Sequence, residues 1–315
     1  MAANSDEILH DFTPMLRAYK NGRIERLAGQ DFVPPSLDPA TAVNSKDVQI
    51  APEINLSARL YLPGNADRSK KLPLLVYFHG GGFVIESAFS PQYQKHLNRL
   101  VAEANVVAVS VNYRLAPEFP LPIAFDDSWV ALKWAAAEGS DEWITEFADL
   151  NRLYLGGDSA GANIAHNIAM RVGSDNPERF NLRGIFMNCP FFGGVDPVGS
   201  ESVEQFKPWK EFADKLWRFV CPTASDCDEP WINPGKDPNI SRLVCKKVLI
   251  YVAEKDLLKE RGWYYKEVLS KSGWNGKVEC VEIAGEEHVF SVFFPDGENG
   301  MAMFKKLASF INDNE

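Results

Sequence analysis

The sequence predicts an α/β sandwich built on a mostly parallel central sheet, and three observations predict it. Short, near-continuous apolar runs rich in Val, Ile, Leu and aromatics recur along the 315 residues, the pattern of strands buried on both faces. Amphipathic stretches at helical spacing separate these runs, and that alternation implies layered helices joined by right-handed crossovers. No unit of roughly 20 to 50 residues repeats, which excludes solenoids and propellers.

The elements follow in order. Strands are expected over 72–78, 106–111, 153–155, 184–187, 248–252 and 277–283, and helices over 92–104, 125–138, 162–172 and 258–270. In 297–311, Met301, Phe304, Leu307, Ala308 and Ile311 recur at helical spacing, so the tail reads as a helix too. Two regions break the rhythm. Residues 1–45 carry weak helical patterning up to Pro34-Pro35, and 190–230 hold Phe191, Phe192, Phe206, Trp209, Phe212, Trp217 and Phe219. Both are expected to be helical and to form a cap over an apolar pocket. The whole of 1–315 reads as one domain, because the residues that carry chemistry are spread along it and must converge.

Composition narrows the function classes. With 33 Lys and Arg against 43 Asp and Glu, the formal charge is −10. That balance argues against nucleic acid, whose binding depends on clustered Lys and Arg, and against a polybasic membrane anchor. No apolar run reaches the ~18 residues of a membrane span. Cys189, Cys221, Cys227, Cys245 and Cys280 form an odd, scattered set without a CxxC pair, suggesting neither a disulfide framework nor a zinc site. The start, Met1-Ala-Ala-Asn-Ser-Asp-Glu, has no basic or apolar secretory pattern. A cytoplasmic protein without metal or cofactor is expected, a monomer or homodimer acting on a small molecule.

The strongest chemical signal is Gly157-Asp158-Ser159-Ala160-Gly161. A strand pattern feeds it and a helix pattern leaves it, so it fits a strand–turn–helix elbow presenting Ser159 above the sheet. An ordinary glycine-rich helix start is the plainer reading of the letters alone. The second motif is His79-Gly80-Gly81-Gly82-Phe83, directly after the strand at 72–78. Glycines let backbone N–H groups approach a ligand closely. Gly81, Gly82 and the Ala160 N–H would be three donors for the oxyanion of an ester's tetrahedral intermediate. A phosphate loop is excluded because neither GKS/T nor GxGxxG is present.

Serine needs a base, itself oriented by an acid. His288 is the candidate base: it lies after Ser159, outside the elbow helix, in the loop following the strand at 277–283. His166 sits on the elbow helix facing away, His10 and His96 have no motif context, and His79 reads as ordering its own loop. For the acid, Asp256 and Glu254 both follow the strand at 248–252. Asp256 is preferred because it lies farther beyond the strand's carboxyl end, where ligand-facing residues gather. Asp158 reads as a buried hydrogen-bonding partner pointing away from the serine. Phe83, Val84, Phe192, Trp217, Val289 and Phe290 are candidates for an apolar pocket, and each has a plain core reading beside it.

At these residues the chain resembles the hormone-sensitive-lipase branch of the α/β hydrolases. The shared marks are the two motifs above, Asn112-Tyr-Arg-Leu-Ala-Pro-Glu118 with Asp126-Asp127, and His288. Cys189-Pro-Phe-Phe192, Pro230-Trp-Ile-Asn-Pro234 and Glu286-Glu-His288 make it similar to plant carboxylesterases related to 2-hydroxyisoflavanone dehydratase. The resemblance implies an α/β-hydrolase fold, a triad of Ser159, Asp256 and His288, and oxyanion donors on Gly81, Gly82 and Ala160. It also implies bracing roles for Arg114 and Glu118. The activity implied is hydrolysis of small apolar or plant specialised-metabolite esters. A lyase using His288 as a proton-abstracting base, in dehydration or in elimination and cyclisation, is the alternative. Legume-type dehydratases often carry Thr at the nucleophile, which favours hydrolysis for Ser159. Related gibberellin receptors lack the histidine, which makes a non-enzymatic receptor the remote alternative.

Overall fold

A computed structural model describes residues 7–137, 139–175 and 180–313. The chain enters with a small antiparallel sheet, β1 (Ile8–Phe12), β2 (Leu16–Tyr19) and β3 (Ile24–Arg26). This corrects the helical expectation for 1–45, of which residues 1–6 lie outside the described ones. The runs are too short for a stable helix. Thr13-Pro14 and Asn21-Gly22 break them, and Gly22 supplies the positive φ of a hairpin turn.

The central sheet contains β4 (Asn44–Ala51), β5 (Leu56–Leu62), β6 (Leu72–Phe78), β7 (Val107–Asn112), β8 (Ala148–Asp158), β9 (Leu182–Asn188), β10 (Lys247–Ala253) and β11 (Lys277–Ile283). Their spatial order is β11-β10-β9-β8-β6-β7-β5-β4. Every neighbouring pair from β7 to β11 is parallel, and only β5 runs against the rest. The interior strands are the expected runs extended by a residue or more at both ends, apart from β6, which matches, and β7, which is shifted by one residue to 107–112. The outer pair β4–β5 carries no such signal, since β4 is a half-exposed edge strand with charged Lys46 and Asp47.

The helices are α1 (Pro91–Ala104), α2 (Ile123–Ala135), α3 (Glu142–Phe147), α4 (Ala160–Asp175), α5 (Lys207–Val220), α6 (Lys259–Lys271), α7 (Phe290–Phe293) and α8 (Glu298–Asn312). The helix expected over 125–138 is α2; Glu138 itself lies outside the described residues. Successive side chains of β6 feed opposite layers, as the pleat requires. Leu74, Val76 and Phe78 pack with α2 and α4 on one face. Leu75 and Tyr77 pack with Leu97 and Leu100 of α1 and Phe304 and Leu307 of α8 on the other.

The aromatic-rich excursion 190–230 is helical as expected, through α5 and two short 3-10 turns. The N-terminal sheet packs against it: the Phe12 ring lies 5.8 Å from Phe212 and 4.9 Å from Phe219. These two segments, far apart in sequence, together roof the carboxyl edge of the sheet. Among the described residues, no helix is long and apolar enough to cross a membrane.

Candidate active site

The elbow between β8 and α4 is built by close packing. Ser159 holds φ +51°, a left-handed conformation costly for any residue with a Cβ. It persists because the turn is over-determined: the Ser159 N–H donates to Asn188 O at 2.9 Å, and its carbonyl accepts from Phe191 N at 3.0 Å. The flanking glycines are obligatory. A Cβ on Gly161 would lie 1.9 Å from Phe78 O, and one on Gly157 2.4 Å from the Gly161 backbone. The helix therefore starts pressed against the neighbouring strand, and the serine side chain is carried outward.

Three loops beyond the carboxyl ends of β8, β10 and β11 bring Ser159, Asp256 and His288 together. Ser159 Oγ lies 3.0 Å from His288 Nε2, and His288 Nδ1 lies 2.8 Å from Asp256 Oδ2. The Leu258 N–H donates to the other carboxylate oxygen, Asp256 Oδ1, at 2.9 Å. Burial pushes the Asp256 carboxyl up, but His288 and its hydrogen bonds outweigh burial and leave it below its ordinary value. Burial pulls His288 down, yet the Asp256 charge and hydrogen bond hold it above 6.5. Glu254, the rival acid, accepts from Gly285 N at 2.7 Å, and Lys255 N donates to Glu286 O at 3.0 Å. Glu254 thus stitches the acid-bearing loop to the histidine-bearing loop and does not face the imidazole.

The glycine loop lies across from this chain of hydrogen bonds. Gly81 and Gly82 hold φ +95° and +59° and line one cavity with Ser159. Among the described residues, no protein acceptor takes the Gly81 or Gly82 N–H. Ala160, buried at the first turn of α4, follows the serine directly. The loop rests on a buried polar network. Gly80 N–H donates to Tyr93 Oη, and the Tyr93 and Tyr77 hydroxyls donate to the two oxygens of Asp158, all at 2.8 Å. Burial, only partly offset by these tyrosines, pushes the Asp158 carboxyl up to about 6. Asp158 is thus a support under the loop, as its neighbours in the sequence suggested. His79 stacks on Tyr113 at 4.2 Å and contacts Gly80 O through Nδ1 at 2.8 Å; burial lowers it to about 4. The other histidines pack as well, His96 against Tyr77 and Ser291 O, and His166 against the Tyr265 hydroxyl.

Bracing continues below. Arg114 forms a bidentate pair with Asp127, with contacts of 2.7 and 2.9 Å. Glu118 is held by Arg26 at 2.6 and 2.8 Å, and Arg26 also reaches Val84 O at 2.7 Å. Arg26, on β3, thus ties the N-terminal sheet to the glycine loop; nothing in the sequence singles it out, because its partners are some 60 and 90 residues away.

The cavity has a volume of about 540 Å³ and includes Ser159, Asp256 and His288 in its lining. Of the six pocket candidates, Phe192 and Val289 line it. Phe83, Val84, Trp217 and Phe290 do not: they are core. Phe83 packs its ring on Phe125, Phe191 and Trp217, and Val84 and Phe290 are sealed in the two apolar layers. Three of the residues that replace them come from the roof, Met15 from the N-terminal hairpin and Trp209 and Phe212 from α5, and a fourth, Phe293, comes from α7 beyond the His288 loop. Their aromatic density was visible in the sequence, but not which faces of the helix would point downward.

A family model described as alpha/beta hydrolase fold matches residues 75–292. The chain is 47% identical to a probable carboxylesterase 2 of Arabidopsis thaliana, over the full length of both. It is 45% identical to a 2-hydroxyisoflavanone dehydratase of Glycyrrhiza echinata, covering 98% of this chain and 97% of that one. Among solved structures, an esterase of Pyrobaculum calidifontis superposes with a TM-score of 0.70 at 28% identity, covering 86% of this chain and 85% of that one.

Proposed function

The chain belongs to the alpha/beta hydrolase fold family, and on that premise we propose that it is a serine carboxylesterase acting on small apolar or plant specialised-metabolite esters. The observation that carries this reading is the continuous hydrogen-bonded chain from Ser159 through His288 to Asp256, opening into an apolar cavity. His288 Nε2 takes the hydroxyl proton as Ser159 Oγ attacks the ester carbonyl. Asp256 holds the Nδ1–H tautomer and stabilises the imidazolium. The N–H groups of Gly81, Gly82 and Ala160 receive the oxyanion, each donor worth about 10²–10³-fold in rate. The His288 proton then passes to the leaving alcohol, and water, deprotonated by the same nitrogen, resolves the acyl-enzyme. Residues 1–315 act as one domain, with the N-terminal sheet and 190–230 as its cap. The protein works as a monomer or homodimer. Its free, buried cysteines suit the reducing cytoplasm.

One observation favours a second reading. The identity to a dehydratase is close to that to the carboxylesterase, and a lyase would use His288 to abstract a substrate proton while the same N–H groups hold an enolate. Short-acyl p-nitrophenyl esters, assayed beside a hydroxyisoflavanone on wild type and Ser159→Ala, separate the two. Hydrolysis by wild type that is lost in Ser159→Ala supports the esterase. Inertness to every ester with dehydration intact refutes it.

A further inference from the structure

One buried nucleophilic group beside the site has no part in the mechanism above. Cys189 follows β9, and its Sγ accepts the Val289 N–H at 3.5 Å. Sγ, one carboxylate oxygen of Asp256 and one ring nitrogen of His288 all lie within 4.8 Å of one another. No sequence spacing announces this trio, because the residues come from three loops 189, 256 and 288 along the chain. The tertiary structure alone assembles it.

We propose that Cys189, Asp256 and His288 form an inhibitory site for a thiophilic divalent cation of the zinc type, whose binding switches the hydrolase off. The consequence for activity rests on the esterase reading; the binding itself does not. Thiolate, imidazole and carboxylate are each zinc ligands, and zinc sites with three protein ligands leave the fourth position open. Tetrahedral bonds of about 2.0–2.3 Å place ligand atoms roughly 3.3–3.8 Å apart, so the side chains need shift by little more than an ångström. Asp256 and His288 face the cavity, which supplies the entry path and a water for the fourth position. The Val289 N–H already points at the sulfur, as outer hydrogen bonds to ligating atoms do.

The chemistry dictates the outcome. The nitrogen beside Asp256 is Nδ1, and Nε2 faces Ser159. A metal on Nδ1 displaces the proton there, and a neutral imidazole then keeps its one proton on Nε2. The thiol proton leaves to solvent. Nε2 can no longer accept the Ser159 proton, and Asp256 no longer orients the ring. The cation and the catalytic tautomer therefore exclude each other.

The test measures binding apart from turnover. Zinc is titrated into the full chain carrying Ser159→Ala against a chromophoric chelator, with and without Cys189→Ala, and with Cys189→Ser as the second variant should alanine fail to fold. We expect one bound equivalent, weakened about tenfold or more by either change at Cys189. Cobalt added to the unaltered chain is expected to give a thiolate charge-transfer band. With an ester substrate, zinc should inhibit wild type reversibly under chelator, and about tenfold more zinc should be needed to inhibit each Cys189 variant relative to its own metal-free rate. No bound equivalent, no cobalt–thiolate band, or unchanged affinity in the Cys189 variants overturns the proposal. Zinc binding through Cys189 in a chain inert to every ester would instead leave this site standing and remove the esterase reading.

Discussion

The catalytic edge of the sheet and the roof above it are built on opposite principles. At the edge, Ser159, Asp256 and His288 sit one to five residues beyond β8 and β10, whose carboxyl-terminal residues are buried, and beyond β11, which pairs with β10, and the elbow is fixed by contacts such as Phe78 O against Gly161. In the roof, α5 and the N-terminal sheet meet through aromatic faces, and Trp209 remains 54% exposed at the cavity mouth. Apolar contact is non-directional, whereas an elbow tolerates no displaced atom. The difference teaches that reaction type is held by backbone geometry, and substrate choice by side chains that can change without disturbing it.

Four substitutions and a change of pH would break or sharpen that contrast. At the edge, His288→Ala should lower kcat/KM about 10⁶-fold, and Asp256→Asn about 10⁴-fold. Thermal melting should shift little in the first, because His288 closes no core; a collapsed fold would make His288 structural. Gly161→Ala, by contrast, should abolish folded protein along with activity, since its Cβ has no space beside Phe78 O. A stable, active Gly161→Ala enzyme would show that the elbow is not over-determined.

Acidity should act next, and the sign follows from the buried histidines. His79 and His96 are lowered by burial from 6.5 to about 4, and His166 to about 3. Between pH 6.5 and about 4 the unfolded chain therefore binds more protons at these three sites, and stability falls as pH drops. Asp158, raised to about 6 from 3.8, and Glu86 and His288, also raised, work the other way over their own windows, but the three buried histidines are together displaced further across pH 6.5 to 4. The melting midpoint should fall steadily from pH 7 to pH 5; a flat profile would mean these imidazoles are not buried neutral. Activity has a separate acid limb. His288 must be neutral to accept a proton, and its raised value places the loss of kcat/KM on acidification at a midpoint above pH 6.5.

The smallest effect belongs to the roof. Trp209→Ala should raise KM several-fold for bulky aromatic-acyl esters and leave acetyl ester turnover and the melting midpoint unchanged. Equal losses on both substrates would place Trp209 in the catalytic edge after all.

Much of the edge was legible in the sequence because its chemistry is local. Strand, Gly-x-Ser-x-Gly and helix are contiguous, and so are β6 and the glycine loop, so periodicity and glycine placement point together to the proposed nucleophile and oxyanion donors. The acid and base could be ranked by chain order and by distance beyond the strand ends, which put Asp256 ahead of Glu254, and the fold shows Glu254 spent on Gly285. The roof was not legible in the same way. The N-terminal strands are three to five residues long, below the length at which period 2 and period 3.6 can be told apart. Phe83 and Phe290 look no different in sequence from Trp209 and Phe293, since hydrophobicity does not say which apolar surface is covered.

The sequence by itself determined the layered fold and the elbow and pointed to Ser159, Asp256 and His288 as the proposed reacting side chains, because those follow from spacing, chain order and backbone conformation near strand ends. Only the tertiary structure decided which aromatics face the cavity, that Arg26 ties the N-terminal sheet to the glycine loop, and that the Cys189 sulfur stands beside Asp256 and His288. Each of those is a contact between residues dozens of positions or more apart, and no local propensity encodes such a contact.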